Sequence, residues 1–452
     1  MARKMKDSGI EWIGEIPEGW EIRNIKYLFS FGKGLNITKE NLKEQGVAVI
    51  SYGQIHSKLN PFYKISDDLI RFVDESYLKT GNLSLVNQGD FIFADTSEDV
   101  QGCGNFIYVD GQQTMFAGYH TIILRSLAPK DNKFFAFLFM SDCWRKQIRE
   151  CVNGVKLFSI SQKLIKKTSI LIPPEDEKVR IVNYLEEHCA TIDNVLEKIR
   201  ASIEEYKKLK QAVITQVVTK GVRGNREMKD SGVEWIGGIP IEWELVPFRH
   251  VLKERQEKNS PIKSVERLSL SIDLGVTLYA EKTTNLDRFK DDFEQYKLAY
   301  EGDLVMNSMN MIVGATGVSD YFGCVSPVYY TFYDELEDHV TAKYCEYIFR
   351  SKTMLRVLYS LGKGIYAIVR GDDRVNTCRL KVSKEDLKSI ITPVPPVEEQ
   401  REIVNYLKKK CLAIDELIAK KEQYLSEIEN YKKSLIYEYV TGKKEVPQKY
   451  QV

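Results

Sequence analysis

The chain contains one sequence pattern twice, about half its own length apart. Residues 5–21 read MKDSGIEWIGEIPEGWE and residues 228–244 read MKDSGVEWIGGIPIEWE, with four of the seventeen positions different. A second matched pair of segments starts at Pro173 and, 222 residues further on, at Pro395; both share PP, IVNYL, a cysteine, Ile-Asp and a terminal Val-Thr. Solenoid repeats are far shorter, roughly 20–50 residues. Each half therefore holds a complete domain followed by its own PP segment.

Between these matched segments, residues 26–172 and 250–392 show almost no mutual identity. A duplicated frame with two divergent modules suits a protein that recognises two targets, whereas an enzyme with one active site does not need it. The alternative is a gene duplication whose halves diverged on surfaces without function. Sequence alone leaves both interpretations open.

Composition limits the class of protein. The 452 residues, 43% hydrophobic and 29% charged, predict a globular chain of two or three domains. We find neither the apolar run of a signal peptide nor the ~18 apolar residues of a membrane span, so we expect a cytoplasmic protein without membrane contact. The eight cysteines are scattered without a C-x-x-C pair and only five histidines accompany them. Reduced, buried thiols are therefore expected rather than disulfides or a zinc site.

Charge does not indicate strong nucleic-acid binding by the chain alone. Residues 1–174 carry 22 Lys/Arg against 19 Asp/Glu, a net +3, and residues 223–395 carry 24 against 26, a net −2. A protein that binds DNA unaided usually shows a pronounced basic footprint. If these modules contact DNA, partners must supply much of the phosphate neutralisation, although a local basic face remains compatible with these totals.

The PP segments predict two long helices. Acidic residues follow Pro174, where a helix N-terminus favours negative charge. Apolar residues then recur at heptad spacing, and Lys421 is the one charged residue at a heptad position, a charged intruder in the pattern. The apolar heptad residues are Leu185, Cys189, Ile192, Leu196, Ile199, Ile203 and Tyr206 in the first segment and Leu407, Cys411, Ile414, Ile418, Leu425, Ile428, Leu435 and Tyr439 in the second. At 1.5 Å per residue each helix of about 45 residues is ~67 Å long, so packing the seams together as a coiled coil is the economical arrangement.

The polar linker between Thr219 and Trp235 favours an antiparallel pair with one module at each end and a pseudo-twofold axis. We predict an α+β fold with two target-recognition domains, at 1–174 and 223–395. The spacer helices are 175–222 and 396–441, and a tail covers 442–452. Within the modules, strand-like runs start at Val47, Asp90, Thr121, Gly302 and Tyr329, and single amphipathic helices are predicted over 133–151 and 341–361.

This order of motifs resembles the specificity subunit of a type I restriction-modification system. The resemblance rests on KDSGxEWIGxIPxxW, a variable module with a Gly-Asp strand, a Pro-Pro-x-x-E junction and a heptad helix ending in Val-Thr-Gly. The second half has PPVEEQREIVNYL and YVTGK, close to the family pattern, while the first half departs from it with PPEDEKVRIVNYL and VVTKG. The resemblance implies that each module reads one half of an interrupted double-stranded DNA target. It also implies that the helices hold two methyltransferase subunits, which two restriction subunits can join.

Motifs for catalysis are missing from the sequence. Gly-Lys at 32–33, 362–363 and 442–443 is not followed by Ser or Thr, so no nucleotide-binding phosphate loop is present, and neither Pro pair has the Asn/Asp-Pro-Pro-aromatic form of an adenine methyltransferase. Glu175-Asp-Glu-Lys178 could suggest a metal-dependent nuclease, but helix capping explains it more simply. We therefore expect no catalytic residue and no metal or cofactor in this chain. S-adenosylmethionine, ATP and Mg²⁺ are expected on partner subunits.

Candidate DNA-contacting residues are polar side chains in glycine-containing loops, because Arg, Lys, Asn and Gln read base edges and glycine lets the backbone approach closely. The first module offers Lys33, Asn36, Lys39, Tyr52, Gln54, His56 and Lys58. The second offers Lys282, Asn285, Asn307, Ser308, Asn310, Lys363, Tyr366 and Arg370. Such loops are also common on any protein surface, and His56 alone is more simply a hydrogen-bonded surface residue.

The repeated tryptophans at 12, 20, 235 and 243 favour a structural or subunit-docking role over DNA contact. The leading hypothesis is a DNA sequence-specificity subunit. The runner-up is a scaffold whose two modules bind proteins rather than DNA.

Overall fold

A computed structural model describes residues 3–127, 132–152, 154, 157–282, 292–365, 379–447 and 450. The chain divides into two compact units: Met1–Ile199 with Gln423–Val452, and Arg200–Glu422. The two long helices are therefore each shared between both units.

The first unit is a mixed α/β structure. Its strands are β1 (Met5–Asp7), β2 (Glu15–Pro17), β3 (Glu21–Asn24), β4 (Phe29–Lys33), β5 (Leu42–Lys43), β6 (Val47–Ile50), β7 (Arg71–Val73), β8 (Leu85–Val86), β9 (Phe91–Ala94), β10 (Thr96–Ser97), β11 (Phe106–Tyr108), β12 (Met115–Ala117), β13 (Thr121–Ser126), β14 (Phe158–Ser159) and β15 (Ser169–Ile172). Its helices are α1 (Tyr52–Ile55), α2 (Tyr77–Thr80), α3 (Asn132–Met140), α4 (Asp142–Arg149), α5 (Gln162–Ile165) and the first part of α6 (Glu175–Lys220).

The second unit follows the same plan. Its strands are β16 (Met228–Asp230), β17 (Gly238–Pro240), β18 (Glu244–Pro247), β19 (Lys253–Glu254), β20 (Leu268–Ser271), β21 (Gly275–Leu278), β22 (Lys297–Ala299), β23 (Leu304–Asn307), β24 (Thr316–Val318), β25 (Gly323–Val325), β26 (Tyr329–Tyr333), β27 (Lys363–Ile365), β28 (Arg379–Lys381) and β29 (Ile391–Val394). Its helices are α7 (Tyr279–Lys282), α8 (Val340–Phe349), α9 (Lys352–Leu361), α10 (Lys384–Ser389) and most of α11 (Val397–Val440).

A four-stranded sheet forms the centre of each module. The strand order is β11-β9-β13-β4 in the first unit and β24-β23-β26-β19 in the second, with neighbouring strands antiparallel. The second strand in each order, β9 or β23, directly follows a Gly-Asp pair in the sequence. Two modules without alignable sequence therefore have the same central sheet.

Aromatic side chains fill the core of the first unit beneath this sheet. Phe91, Phe93 and Phe139 are fully buried, and Phe139 lies 4.3 Å from the Trp144 ring, centroid to centroid. The second unit has a smaller aromatic centre in which Phe248 packs edge-on against Phe332 and Phe349. Large rings bury much apolar area, which stabilises these sheets against their helices.

The helix predicted over 133–151 is two helices in the structure, and so is the one predicted over 341–361. Ser141 separates α3 from α4, and Ser351 separates α8 from α9, each serine with extended backbone. The Ser351 hydroxyl accepts a hydrogen bond from the Met354 backbone nitrogen. A serine in this position starts a new helix, because its side chain replaces a missing backbone partner. The prediction of single helices was wrong.

The long helices start and end close to the predicted residues. In the first unit, α6 and α11 run in opposite directions, since Tyr184 stacks near Tyr439 (4.4 Å between centroids) and Lys432 pairs with Asp193 at 2.5 Å. In the second unit the same two helices pair through Lys210 and Asp415, at 2.6 Å. Asp415 lies 222 residues after Asp193, and Lys432 lies 222 residues after Lys210, which is the spacing of the sequence repeat. Each ion pair is therefore the repeat-related copy of the other.

Burial along α6 and α11 follows the predicted heptad pattern. The buried seam positions are Leu185, Cys189, Leu196, Ile203, Leu407, Cys411, Ile414, Leu435 and Tyr439, and the remaining ones are half-buried. The charged intruder, Lys421, lies with its ammonium 5.6 Å from the centre of the Tyr206 ring. Its aliphatic stem can cover apolar surface while the charge contacts an aromatic face.

Each copy of the repeated N-terminal motif forms a small hairpin. Strand β1 pairs with β2 from Met5↔Pro17, and β16 pairs with β17 from Met228↔Pro240, in the same register. A fully buried tryptophan follows each hairpin. Trp20 Nε1 donates to Glu177 Oε2 at 3.0 Å, and Trp243 Nε1 donates to Glu399 Oε2, also at 3.0 Å.

An arginine completes each tryptophan–glutamate pair. Arg3 contacts Glu177 and Arg226 contacts Glu399, in the first turns of α6 and α11. These two triads, which we call the tryptophan anchors, fix the start of each long helix to the hairpin of its own half. They agree with the expected structural role of Trp20 and Trp243.

The far ends of the long helices also meet these tryptophans. Gly442, with φ +70°, lies where a Cβ would stand 3.0 Å from the Trp20 ring, and Gly221, with φ +74°, would place one 3.1 Å from Trp243. Positive φ and close packing together require glycine at both sites. The end of α11 therefore closes the first unit, and the end of α6 closes the second.

Candidate nucleic-acid interface

Three segments of the first module converge at one end of its central sheet. The Leu35 nitrogen donates to the Ala117 carbonyl at 2.8 Å, and the Gly118 nitrogen donates to the Ile50 carbonyl at 2.7 Å. These bonds join the loop after β4, the end of β6 and the turn between β12 and β13, and the Tyr52 nitrogen at the start of α1 donates to the Tyr119 carbonyl in the same turn. The candidate loops that begin at Lys33 and Tyr52 are thus brought together.

Glycine makes this convergence possible. A Cβ on Gly34 would lie 1.9 Å from the Gly118 carbonyl oxygen, and a Cβ on Gly118 would lie 2.1 Å from Ser51 Oγ. Neither distance is compatible with a side chain. The Gly-Lys-Gly sequence, which suggested a DNA-contacting loop, therefore serves close packing between backbone segments at its second glycine.

The candidate residues of the first module differ in exposure. Lys33, Asn36, Lys39 and Lys58 are exposed, and Tyr52, Gln54 and His56 are half-buried. The Gln54 side-chain oxygen accepts from the Ser51 backbone nitrogen at 3.1 Å, so part of its bonding capacity stabilises the start of α1. Within the described part of the chain, the side chains of the four exposed residues make no hydrogen bond or ion pair, although the Lys33 carbonyl accepts a hydrogen bond from the Ser84 hydroxyl.

His56 belongs to a hydrogen-bonded chain that leads into the core. Its Nε2 lies 2.8 Å from the Thr96 carbonyl, and its Nδ1 lies 3.1 Å from the Asn105 amide nitrogen. A carbonyl can only accept, so Nε2 carries the proton and Nδ1 accepts from Asn105. Asn105 in turn accepts from Arg145, whose burial lowers its pKa to about 9. This network explains His56 structurally, as a hydrogen-bonded residue.

Two candidate residues of the second module, Asn307 and Ser308, lie at the equivalent end of its sheet. Asn307 pairs with Tyr329 at the end of β23, just as Ala94 pairs with Thr121 at the end of β9. Ser308 therefore occupies the position that Asp95 occupies in the first module. The two modules therefore have different side chains at equivalent positions of their central sheets.

Burial separates the second-module candidates. Asn310 and Lys363 are exposed. Asn307 is buried and its Oδ1 accepts from the Met309 nitrogen at 3.1 Å; Ser308 has no exposed surface. A base contact by Ser308 would thus require a rearrangement of the strand end. Lys282 ends α7 but its side chain is not described, and Asn285, Tyr366 and Arg370 lie outside the described residues.

Sequence reasoning missed a lysine cluster in the second unit, formed by Lys297, Lys384 and Lys388 around Glu254. Lys384 and Lys388 contact the two carboxylate oxygens at 2.6 and 2.5 Å. Burial, and then the proximity of Lys384, lowers the pKa of Lys297. Three cations around one carboxylate leave a local positive excess of the kind that contacts phosphate. The residues are spread over about 130 positions, so no local pattern reveals them.

The sequence also gave no prominence to Asp95, Tyr119 and His120 in the first module. Tyr119 and His120 form the turn between β12 and β13, and their rings stand 5.6 Å from Tyr52, centroid to centroid. The signal was present as Gly-Tyr-His directly before the predicted strand at Thr121. We call Tyr52, Asp95, Tyr119 and His120 the strand-end cluster.

Comparison with known proteins shows which proteins the chain is similar to. Residues 17–205 match the model of the type I restriction modification DNA specificity domain. Over 452 aligned residues the chain is 24% identical to the putative type I restriction enzyme MjaX specificity subunit of Methanocaldococcus jannaschii, covering 95% of both chains. The chain is thus similar to type I restriction-modification specificity subunits over nearly its whole length.

Other similar proteins show the same resemblance. The type I restriction enzyme EcoKI specificity subunit of Escherichia coli (strain K12) is 20% identical over 432 residues, covering 94% of this chain and 89% of that protein. A solved chain from work on complex assembly and conformational transition of the type I R-M system superimposes with a TM-score of 0.62 at 17% identity, covering 94% and 98%. That likeness bears on the fold, and it agrees with the α+β architecture.

Four further observations concern features that the sequence analysis considered. Among the described residues, no three His, Cys, Asp or Glu side chains are grouped so that they could hold a metal ion, and no helix is long and apolar enough to cross a membrane. Lys178 contacts Glu175 at 2.9 Å within the first turn of α6, in line with helix capping. Of the described cysteines, all are free and only Cys151 is exposed.

Proposed function

We propose that this chain is the DNA sequence-specificity subunit of a type I restriction-modification complex, and that each module reads one half of an interrupted target. The observation that carries the proposal is the pair of central sheets, which share one strand order but end in different polar residues. The shared sheet sets the position of the recognition surface in each module, and the side chains at the strand ends determine which DNA sequence that module recognises. Methyl transfer and cleavage then belong to partner subunits, which bring S-adenosylmethionine, ATP and Mg²⁺.

We further propose that α6 and α11 form an antiparallel coiled coil that serves as the spacer between the two readers. The exchanged ion pairs Asp193–Lys432 and Lys210–Asp415 support a pseudo-twofold tandem repeat, because a twofold axis brings residue i against j and j against i. The domain boundaries that follow are 1–174, 175–222, 223–395, 396–441 and 442–452.

Two methyltransferase subunits are the proposed partners, and two restriction subunits can complete the complex. The outward faces of the long helices support this assignment. Val195, Tyr424 and Tyr431 are exposed in the first unit, and Tyr406, Leu412 and Leu417 in the second. Exposed apolar side chains in this number suit a protein interface. The complex would act on DNA in the cytoplasm.

A module exchange tests the proposed function. Residues 26–172 are replaced by the corresponding module of a relative, and the chain is expressed with its methyltransferase partner. Methylation mapping should then show one changed half-site and one unchanged half-site, since the second module stays on its own anchor. A change in both half-sites would contradict separable readers.

A binding experiment distinguishes the proposal from a protein-binding scaffold. The reconstituted complex is titrated with duplex DNA that does or does not carry the methylated motif, over a range of salt concentrations. A specificity subunit should prefer the motif, with an affinity that falls as salt rises. A scaffold would show no sequence preference at any ionic strength. None of the related proteins supports the scaffold hypothesis.

A further inference from the structure

The turn between β12 and β13 holds a histidine in a backbone conformation that this residue rarely adopts. His120 has φ +54°, and residues other than glycine usually avoid this region. The turn is held from both sides. The Tyr52 nitrogen donates to the Tyr119 carbonyl at 3.3 Å, and the Asp95 nitrogen donates to the His120 carbonyl at 3.1 Å. Strained residues that are this firmly held concentrate at functional sites.

The imidazole of His120 is exposed but oriented. Its Nδ1 lies 3.2 Å from Asp95 Oδ1, and more than half of the side chain is accessible to solvent. A carboxylate only accepts, so Nδ1 carries the proton and donates to Asp95. The rings of Tyr52 and Tyr119 approach the imidazole edge-on, at interplanar angles of 77° and 78°. The other ring nitrogen, Nε2, is bonded by none of the described residues.

This arrangement differs from that of His56, the histidine that the sequence brought forward. Both ring nitrogens of His56 are bonded within the protein, to Thr96 and Asn105. His120 uses one nitrogen for orientation and leaves the second for a ligand. Of these two histidines, His120 therefore has the geometry of a recognition residue.

We propose that His120 reads a base edge in the major groove of the first half-site, with Asp95, Tyr52 and Tyr119 as its positioning residues. In the neutral ring, Nε2 is an acceptor, and the major-groove donors of DNA are the amino groups of adenine and cytosine. The base read is therefore adenine or cytosine. This inference rests on the proposed function and adds to it the residue and the class of base.

The second module supports the inference by contrast. The residues equivalent to Asp95 and His120 are Ser308 and Val328, since Asn307 pairs with Tyr329 as Ala94 pairs with Thr121. Val328 is exposed and apolar, so it cannot accept a hydrogen bond from an amino group. The strand ends of the two modules thus have different recognition chemistry, as two different half-sites require.

The test uses the full chain in complex with its methyltransferase partner. His120→Gly removes the imidazole and tolerates the positive φ, and His120→Asn keeps a polar side chain that also adopts this conformation. His250→Gly is the matched control, because His250 is an exposed histidine in the second unit, outside its strand end. Hydrogen exchange in β12 and β13 confirms that the turn remains folded.

We expect His120→Gly to relax the methylated motif at one base pair of the first half-site and to leave the second half-site unchanged. Affinity for the motif should fall about 2- to 13-fold, the equivalent of one hydrogen bond, while affinity for unrelated duplex stays the same. Asp95→Asn should give a smaller loss at the same base pair, since it loosens the ring without removing it.

Two outcomes would overturn the inference. Unchanged motif and affinity in His120→Gly, relative to His250→Gly, would show that His120 does not contact a base. An equal loss of affinity for every sequence would make it a phosphate contact instead. Failure of the proposed function is a separate result, because the wild-type complex itself would then show no sequence preference.

Discussion

Removing the carboxylate of the second tryptophan anchor should weaken one unit of the protein selectively. Glu399 has no exposed surface, and it accepts hydrogen bonds from Trp243 at 3.0 Å and from Arg226 at 2.9 Å. The hydrogen bonds that Arg226 donates to this carboxylate raise the pKa of Arg226. Glu399→Ala leaves a mostly buried guanidinium and a buried indole N–H without this partner.

The magnitude follows from burial. Breaking a buried ion pair costs about 3–5 kcal/mol. Arg226 keeps its contact with Glu242, whose side chain is 44% exposed, so the lower end applies. We expect about 3 kcal/mol, which corresponds to roughly 100-fold faster hydrogen exchange in the second unit. In the first unit the equivalent pair is more exposed, at 19% for Arg3 and 14% for Glu177, so Glu177→Ala should cost about 2 kcal/mol.

Native-state hydrogen exchange measures the two units separately in one experiment. The control is Glu402→Ala, which removes an exposed carboxylate from the next turn of the same helix and its contact with Arg223. Because exposed pairs contribute little, this control should match the wild type. If Glu399→Ala and Glu402→Ala have equal effects, or if Glu399→Ala weakens both units alike, the anchor does not hold the second unit together.

Three further predictions concern other parts of the molecule. A fragment of residues 1–221 should form a symmetric dimer in which Lys210 of one copy contacts Asp193 of the other. In sedimentation experiments, Lys210→Asp should weaken this dimer and the additional substitution Asp193→Lys should restore it. A folded monomer would contradict the antiparallel arrangement. Gly34→Ala should disturb the first module, because the new Cβ would lie 1.9 Å from a carbonyl oxygen, and methylation mapping should show errors in the first half-site only. Gly53→Ala is the control, because its Cβ would meet no neighbour within 4 Å. Burial raises the pKa of Glu254, but hydrogen bonds from Lys384 and Lys388 outweigh burial and hold this pKa below its usual 4.5. The stabilisation by Glu254 is therefore complete above about pH 4.5 and is lost as the pH falls through the lowered pKa. Glu254→Gln should make the stability of the second unit depend less on pH in acid, and an unchanged pH dependence would refute this.

The long helices and the repeat were predictable because their signals are local and periodic. Heptad spacing from Leu185 onwards and acidic residues after Pro174 are read directly from neighbouring positions. The break at Ser141 was not predictable in the same way, since the apolar pattern continues across it without glycine or proline. A serine can sit within a helix or start one, and tertiary packing decides which.

The candidate interface was predictable only in part, because exposure and convergence depend on distant contacts. Gly34 lies in a predicted loop and Ser51 ends the strand-like run from Val47, but their approach to Gly118 depends on a pairing across more than 60 residues. Ser308 has the residue type of a DNA contact, and its complete burial follows from the strand end that surrounds it. In the first module, the ends of the neighbouring strands β9 and β13 bring Asp95 and His120 together.

The tryptophan anchors have a genetic consequence. Each module is bracketed by the same two elements, the hairpin that carries Trp20 or Trp243 and the helix start that carries Glu177 or Glu399. A crossover between the two copies of the hairpin sequence would delete one module and one helix, yet it would leave a complete anchor in the shortened chain. Such a gene would still encode one reader, one seam and the contacts that join them, so recombination could convert an asymmetric recognition protein into a palindromic one in a single event.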